Sequence, residues 1–439
     1  MKKIGTHKNT GKPAFGAMAL SLIAASLVGC GDQVAGSPAA AEVDVQQLTV
    51  GNYPTDPLDV RFSYSHAFAS GESIRAIALA RLTDHVVIGA DVDPRFSHNV
   101  LALSLDSAKA AKLTKVLGGA VQPALENNGM MFGFSAAASS RALPKSRQRD
   151  RSGNFSPFDG AEGESETSAF NVTVLQFPDQ QRAQAAADQM EAADFAVAAD
   201  QNVHVTLDKQ PNAKAHWRPG VPSMAATMSY GQYVVNVYVA QPKPNLDELR
   251  KLAEQVFTAQ LPLLDQAPAL SPHEIFRLDY DPDAMQQRTL HPNEYIRPHP
   301  ISEATRTPRG YLHYVDDQAT WKRLLEDSGV DRMSTASSGG MLFRARDAAA
   351  ANALWSGINS ATRVSVAAPA KVPNVSCTSV PKDDFDQSWY AYDLTSTGTV
   401  YICALHYDRY VARVASGQLT DVQQRAAAQY ALLAKAQYM

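Results

Sequence analysis

Two stretches of the chain follow the same order of patterns, and this apparent repeat constrains the fold more than any other feature. In the first stretch, the alternating residues 171–177 predict a strand, and Asp179 is placed to cap the helix that follows. In the second stretch, residues 341–344 and 347–355 repeat this strand–helix order. Both stretches should therefore fold into similar units.

Each stretch continues with further predicted strands and closes with a long amphipathic helix. In the first copy the predicted strands lie near residues 203–207 and 225–240, and the closing helix spans residues 245–264. In the second copy they lie near residues 389–394, 400–406 and 410–414, and the closing helix spans residues 420–435. Two short blocks also match in order: residues 232–237 parallel 409–414, and 260–264 parallel 429–433. Two interpretations stay open, duplication of one unit or two unrelated units with common patterns.

The segment 265–272 has two prolines and little periodicity, and it marks a domain boundary. We therefore predict an α+β fold with two similar domains, residues 45–265 and 272–437, each an antiparallel sheet packed with helices. Residues 138–168 are rich in Ser, Arg, Gly, Asp and Pro, which predicts a mobile loop in the first domain. Further helices are expected at residues 72–84 and 105–117, and a strand at 310–314.

The N-terminus has the pattern of an export signal. Four lysines precede an uncharged apolar segment, residues 15–28, which is shorter than the about 20 residues that a membrane-spanning helix needs. The ending Leu27-Val28-Gly29-Cys30 resembles the lipobox of bacterial lipoproteins. That resemblance implies a signal peptide at 1–29, a lipid on Cys30 and a flexible tether at 30–44. The alternative is an ordinary signal peptide with an incidental cysteine.

Charge limits the partners of such a chain. Removing the four lysines of residues 1–29 takes the formal net charge from −4 to −8. An acidic body does not collect nucleic-acid phosphates, so no nucleic-acid partner is expected. It should not adhere electrostatically to an anionic membrane either, so the expected membrane contact is the lipid on Cys30.

The remaining cysteines are Cys377 and Cys403. Because an exported chain meets an oxidising compartment, these two cysteines predict one disulfide. On the chain-entropy model this disulfide would contribute roughly 3 kcal/mol to stability. The alternative is a pair of buried free thiols.

Several segments come close to known catalytic or metal-binding motifs and lack an essential residue. His273-Glu274 begins a zinc-protease-like pattern, but the second histidine is replaced by Arg277. Asp279, Asp281 and Asp283 have the spacing of a calcium-loop opening, but the required glycine and final glutamate are Ala284 and Leu290. A turn explains these aspartates better than a weak surface cation site.

The other polar and aromatic clusters do not define a reaction. His291, His299 and His313 fit packed or hydrogen-bonded histidines better than metal ligands, and the Arg147–Arg151 cluster fits a solvated loop. Aromatic residues 389, 390, 392, 401, 407 and 410 fit cross-strand pairs better than a pocket lining. We therefore predict no catalytic residue, no cofactor and no metal site.

A series of short motifs resembles a known family. The motifs are Gly51-Asn52-Tyr53-Pro54-Thr55, Asp93-Pro94, Arg288-Thr289-Leu290, Arg309-Gly310-Tyr311-Leu312-His313, Gly329-Val330-Asp331, Arg409-Tyr410-Val411-Ala412 and Ala428-Gln429-Tyr430-Ala431-Leu432-Leu433. In this order they resemble an uncharacterised family of actinobacterial lipoproteins with N- and C-terminal domains of unknown function. The last strand and closing helix also resemble the end of small extracellular sensor-type domains of these bacteria. The resemblance implies an envelope lipoprotein and no particular activity.

Together these features favour a non-catalytic binding module anchored to the outer face of the plasma membrane. Its expected ligand is a lipid, a small solute or an envelope protein. The alternatives are a structural or sensory interaction module without a pocket and, least favoured, a hydrolase without a recognisable motif.

Overall fold

The structure is a computed structural model. It describes residues 43–60, 71–113, 116–142, 166–292, 297–315, 317–337, 339–359, 363–385 and 398–438. Several predictions lie outside these residues: the signal peptide, Cys30 and nearly all of the tether, residues 143–165 of the predicted loop, the arginine cluster 147–151, and the strand at 389–394 with its aromatic residues. We call residues 71–280 the N-terminal half and residues 281–438 the C-terminal half.

The N-terminal half contains one antiparallel sheet with seven strands among the described residues. In chain order they are β1 His98–Leu105, β2 Phe132–Ser139, β3 Ala169–Gln176, β4 Val203–Val205, β5 Lys214–Trp217, β6 Ser223–Tyr230 and β7 Tyr233–Ala240. Their order in the sheet is β1-β2-β3-β7-β6-β5-β4. The helices are α1 Gly71–Thr83, α2 Gly89–Val92, α3 Ala108–Leu113, α4 Gln122–Asn127, α5 Gln180–Ala196, α6 Leu246–Asp265 and α7 Pro272–Ile275.

The C-terminal half repeats this arrangement. Its strands are β8 Ala304–Arg306, β9 Arg332–Ala336, β10 Gly340–Arg344, β11 Val364–Val366, β12 Val375–Pro381, β13 Thr399–Tyr407 and β14 Tyr410–Ser416. They form the antiparallel order β8-β9-β10-β14-β13-β12-β11, which matches the first sheet strand for strand. The helices are α8 Pro308–Leu312, α9 Gln318–Asp327, α10 Ala348–Asn359 and α11 Leu419–Lys435. The predicted pair of similar antiparallel α+β domains is confirmed.

Helices cover both faces of each sheet. On β10, Met341 and Phe343 pack in the cluster that includes α10, whereas Leu342 between them packs in the cluster that includes α11. This follows from the alternation of side chains along a strand. In the N-terminal half, α6 and α5 cover the two faces of the first sheet in the same way. Each half is therefore a three-layer unit whose central strands are buried on both sides, whereas the edge strands β4 and β11 are largely exposed.

The equivalent helices begin at equivalent caps. Asp179 Oδ1 accepts a hydrogen bond from the backbone N–H of Arg182 at 2.8 Å, at the start of α5. Asp347 Oδ1 accepts one from the backbone N–H of Ala350 at 2.8 Å, at the start of α10. Both carboxylates satisfy a donor that the first helical turn leaves free.

The disulfide occupies a pair position that has an equivalent in the first sheet. Cys377 and Cys403 face each other on β12 and β13, with their Cα atoms 4.1 Å apart, and their sulfur atoms are bonded. In the first sheet the corresponding pair on β5 and β6 is Ala215 and Ala226. The predicted pairing is thus present, and it crosslinks a buried site that the other half fills with two methyl groups.

A buried glutamine on each closing helix holds a backbone turn of its own half. On α6, Gln260 Oε1 accepts the backbone N–H of Val87 at 3.0 Å, and Gln260 Nε2 donates to the carbonyl of His85 at 2.8 Å. On α11, Gln429 Oε1 accepts the backbone N–H of Leu290 at 2.8 Å. Its Nε2 donates to the carbonyl of Arg288 at 2.8 Å. These two glutamines are the first residues of the matching blocks 260–264 and 429–433. The sequence match therefore reflects a shared contact, the pair of hydrogen bonds from each glutamine to a backbone turn, which we call the glutamine joint.

The segment 43–60 packs on the C-terminal half, although the predicted first domain begins at residue 45. Leu48 is buried in the core that includes α11. The Tyr53 hydroxyl donates to Asp421 at 2.5 Å, and the Arg425 guanidinium lies over the Tyr53 ring. These first described residues of the chain therefore pack with the C-terminal half, and the predicted domain boundaries stay a prediction.

Two local predictions are corrected. Residues 310–314 lie in and just after α8, not in a strand, because Pro308 starts a helical turn there. The predicted helix at 105–117 is too long at both ends, since Leu105 ends β1, α3 is described over Ala108–Leu113, and residues 116–117 are not helical.

Candidate functional site

A cavity of about 640 Å³ lies where the two halves meet. The N-terminal half supplies a mostly apolar wall from the end of α1, the start of β2, the end of α6 and the segments that follow α6 and α7, and this wall also includes the polar residues Asp84, His85 and Gln176. The C-terminal half supplies a cationic wall from β8, α8 and β9. The apolar side chains include Leu82, Phe132, Leu263, Leu270 and Leu278, and the arginines are Arg81, which comes from α1, Arg306, Arg309 and Arg332.

Asp84 holds the two walls together. Its Oδ1 accepts the backbone N–H of Thr307 at 3.0 Å and the Thr307 hydroxyl at 2.8 Å. Burial raises the pKa of Asp84 above its ordinary value, although these two hydrogen bonds oppose that shift. Residue 310 must be a glycine for this approach, because a Cβ there would lie 2.4 Å from Asp84 Oδ1. The end of α1 and the start of α8 are therefore fixed at contact distance.

Arg306 is the most buried charged group on the cavity wall, with 2 % of its surface exposed. Its Nη2 donates to the carbonyls of Pro300 and Ile301 at 2.9 and 2.8 Å. Its guanidinium lies over the Tyr314 ring, 5.2 Å from the ring centre. The buried Nε has no hydrogen-bond partner among the described residues. Burial lowers the pKa of Arg306, as expected for a cation removed from water.

The four arginines of the cavity differ in how their charge is balanced. Arg309 forms an ion pair with Asp91, and Arg332 Nε lies 2.8 Å from Asp283 Oδ2. Arg81 donates to the carbonyl of Asp279 at 3.0 Å, and no described carboxylate forms an ion pair with Arg81 or Arg306. Asp84 attracts both of these guanidinium groups, and Asp279 attracts Arg81, but only from beyond ion-pair distance, so neither arginine is held by a paired carboxylate next to the apolar wall.

The histidines singled out in the sequence serve three separate structural contacts. His291 Nδ1 lies 2.6 Å from Glu303 Oε1, and both side chains are almost fully buried. His299 Nδ1 accepts backbone N–H groups of Ile301 and Ser302. His313 Nε2 lies 3.2 Å from the carbonyl of Thr83, on the opposite half. None of the three lines the cavity.

The aspartates of the calcium-like segment are used inside the protein. Asp281 accepts the backbone N–H groups of Gln286 and Gln287 at 2.6 and 2.9 Å. Asp283 pairs with Arg332 and Arg344. Within the described ranges, no group of three or more His, Cys, Asp or Glu side chains is arranged to hold a metal ion. The described aromatic residues Tyr401, Tyr407 and Tyr410 pack around the second sheet, away from the cavity.

Sequence reasoning missed the residues that define the cavity. Arg81, Asp84 and Arg306 belong to no motif, and 223 residues separate Asp84 from Thr307, its hydrogen-bond partner. The available signal was indirect: Arg309, Gly310 and His313 belong to one motif of the family resemblance. The described part of the chain also contains no helix that is both long and apolar enough to cross a membrane.

Comparison with known proteins gives the family. One solved structure with 14 % identity, the extracellular domain of PknH from Mycobacterium tuberculosis, covers 41 % of this chain and 93 % of its own, with a TM-score of 0.24. At that TM-score the similarity carries no conclusion. No curated protein matches significantly. Family models for the N-terminal and C-terminal domains of unknown function DUF7373 match residues 67–280 and 285–436. Because these matches span most of the sequence, the chain belongs to the DUF7373 family.

Proposed function

We propose that this protein is a non-catalytic binding module that holds a small amphipathic molecule in the cavity between its halves. The observation that carries the proposal is the pairing of an apolar wall with two arginines that lack carboxylate partners. A volume of about 640 Å³ falls within the range of small-molecule sites. Such a cavity can bury the apolar part of a ligand against its apolar wall and bind the polar part through the charged arginines.

The lining favours binding over chemistry. The described lining residues include no serine or cysteine, and the Thr307 hydroxyl donates to Asp84 instead of a histidine. His85 lines the cavity, and burial lowers its pKa, which favours the neutral imidazole. A nucleophile activated by an adjacent base is the usual signature of covalent catalysis, and these residues do not form one.

Nile red, a neutral dye that fluoresces in apolar sites, tests whether the cavity takes a ligand. We expect saturable fluorescence enhancement with the full chain. Gln266→Trp should weaken dye binding by about tenfold or more, because the indole would fill part of the cavity. Gln201→Trp, at an exposed turn, is the matched control and should bind like the unmodified protein. Equal binding by all three proteins, or no binding at all, would contradict the proposal.

We also propose that the protein is exported and held at the outer face of the plasma membrane by a lipid on Cys30. The support is the sequence pattern before Cys30 and the acidic charge of the remaining chain. Cys30→Ala should move the protein from the membrane fraction to the soluble fraction and abolish metabolic palmitate labelling. Palmitate labelling that persists in this variant would refute the anchor, and Cys377→Ala should keep the label as a control.

A further inference from the structure

We propose that the molecule held in this cavity carries one anionic head group, a carboxylate or a phosphate, which binds Arg306 and Arg81. This inference rests on the proposed binding function and names the ligand class. The juxtaposition that carries it is a buried guanidinium without a carboxylate partner, Arg306, in the same cavity as a cluster of apolar side chains from the N-terminal half.

The hydrogen bonds of Arg306 indicate where an oxyanion would bind. A guanidinium has five N–H donors, and the described bonds of Arg306 all come from Nη2. The buried Nε–H is left without a partner, which is costly for a charged donor. An oxygen of a carboxylate or phosphate accepts such a hydrogen bond with charge assistance. Arg306 is thus already fixed by its protein contacts, with further donors available to a ligand.

The charges around the cavity favour an anion over a neutral head group. Asp91 and Asp283 neutralise Arg309 and Arg332, so Arg81 and Arg306 remain for a ligand. Asp84 is the one acidic residue among the described lining residues, and both hydrogen bonds that it accepts from Thr307 go to its Oδ1. Its single carboxylate attracts both Arg81 and Arg306 and can compensate only one of these two charges. One external negative charge would balance the site.

The apolar wall indicates that the head group is attached to a hydrocarbon part. Leu82, Phe132 and Leu263 lie on the side contributed by the N-terminal half. Inorganic phosphate would leave this surface exposed to water, whereas an alkyl chain would bury it, at about 0.8 kcal/mol for each methylene removed from water. Carboxylate and phosphate amphiphiles share this chemistry, and they would come from fatty acids or from phosphorylated lipids.

Displacement of Nile red from the full chain separates these possibilities, with dodecanoate, dodecyl phosphate, dodecanol and inorganic phosphate below their micelle concentrations. We expect at least one of the two anionic amphiphiles to bind about tenfold or more tightly than dodecanol, the range of a charged hydrogen bond. Tighter binding of dodecanoate would indicate a fatty acid as the natural ligand, and tighter binding of dodecyl phosphate would indicate a phosphorylated lipid. Inorganic phosphate should bind much more weakly than dodecyl phosphate.

Substitutions of the cavity arginines test which of them bind the anionic head group. Arg306→Gln should lower the affinity for the anionic amphiphile to that for dodecanol, and Arg81→Gln should lower it in the same direction. If Arg306→Gln does not fold by circular dichroism, Arg81→Gln alone tests the claim, because Arg81 is less buried. Arg332→Gln, on the same cavity but paired with Asp283, is the control and should lose less than Arg81→Gln.

Three outcomes would overturn the inference. Equal affinity for dodecanol and both anions refutes the anionic head group and leaves the binding function standing. Inorganic phosphate binding as tightly as dodecyl phosphate refutes the hydrocarbon part. Failure of every amphiphile and of Nile red to bind refutes the proposed function itself.

Discussion

His313→Gln should make the protein less sensitive to acid. Between pH 7 and pH 4.5, protonation of His313 on unfolding should lower the free energy of unfolding of the unmodified protein by about 2.5 kcal/mol, and the variant should lack most of this decrease. Burial lowers the pKa of His313 from 6.5 to about 3. The unfolded chain therefore binds a proton at this histidine below pH 6.5, whereas the folded chain does not until the pH is near 3. The stability contributed by neutral His313 is present above pH 6.5 and is lost as the pH falls toward 3.

The surroundings of His313 explain both the shift and the choice of variant. The ring contacts Phe134 edge to face, with centroids 5.0 Å apart, and Nε2 lies 3.2 Å from the carbonyl of Thr83. Arg306 and Arg309 also disfavour the protonated ring. A glutamine amide can donate to the same carbonyl and does not titrate. The variant should thus keep the contact between the halves and lose only the proton linkage.

Urea unfolding at pH 7 and pH 4.5 measures this effect for the full chain and the variant. Other buried groups contribute to both proteins: burial lowers the pKa of His85 and His299 and raises that of Asp84 and Asp281. Comparison with the variant cancels these contributions. His273→Gln, at an exposed position, should leave the pH dependence unchanged. The same pH dependence in His313→Gln and the unmodified protein would show that this histidine is not protonated on unfolding.

Much of the fold follows from local patterns, and those parts could be predicted. The helix cap at Asp179 depends on a few adjacent residues and forms as predicted, and Asp347 forms the equivalent hydrogen bond in the second copy. The order of strands and helices in the two copies also follows from short-range periodicity. The disulfide between Cys377 and Cys403 needed only an even number of cysteines and an oxidising compartment.

Elements buried on both faces gave weaker signals. Strand β2, Phe132–Ser139, is buried at every position and contains three consecutive alanines, so it lacks the alternation that marks a half-exposed strand. Strand β8 has three residues, too few to show a period. The site depends on such elements, because Arg306 ends β8 and Phe132 begins β2. Its position could not be read from local sequence.

The motifs that carried the family resemblance lie where segments that are distant in sequence contact each other. Arg309 pairs with Asp91, and Gly310 admits Asp84, so this motif fixes one half against the other. Arg288 contributes a carbonyl to the Gln429 joint and lies over the Tyr410 ring. Short motifs in a constant order can thus identify a family through packing requirements, without identifying any catalytic group.

Gln429→Met should lower the free energy of unfolding by about 2 to 6 kcal/mol, since it leaves two buried backbone groups without partners at about 1 to 3 kcal/mol each. Gln429 is fully buried, and methionine has a similar length, so the cavity it leaves is small. The orphaned groups would be the N–H of Leu290 and the carbonyl of Arg288. Gln260→Met should have an effect of the same order through Val87 and His85.

Amide hydrogen exchange distinguishes a lost hydrogen bond from a general loss of packing. In Gln429→Met the amide of Leu290 should lose protection beyond the global change, while the amide of Val87 follows the global change. Gln260→Met should give the reverse pattern. Gln201→Met, at an exposed turn, should change stability by less than about 0.5 kcal/mol. If both amides respond equally to either substitution, the glutamines act by filling space, and the repeated joint has no role as a hydrogen-bonded clamp.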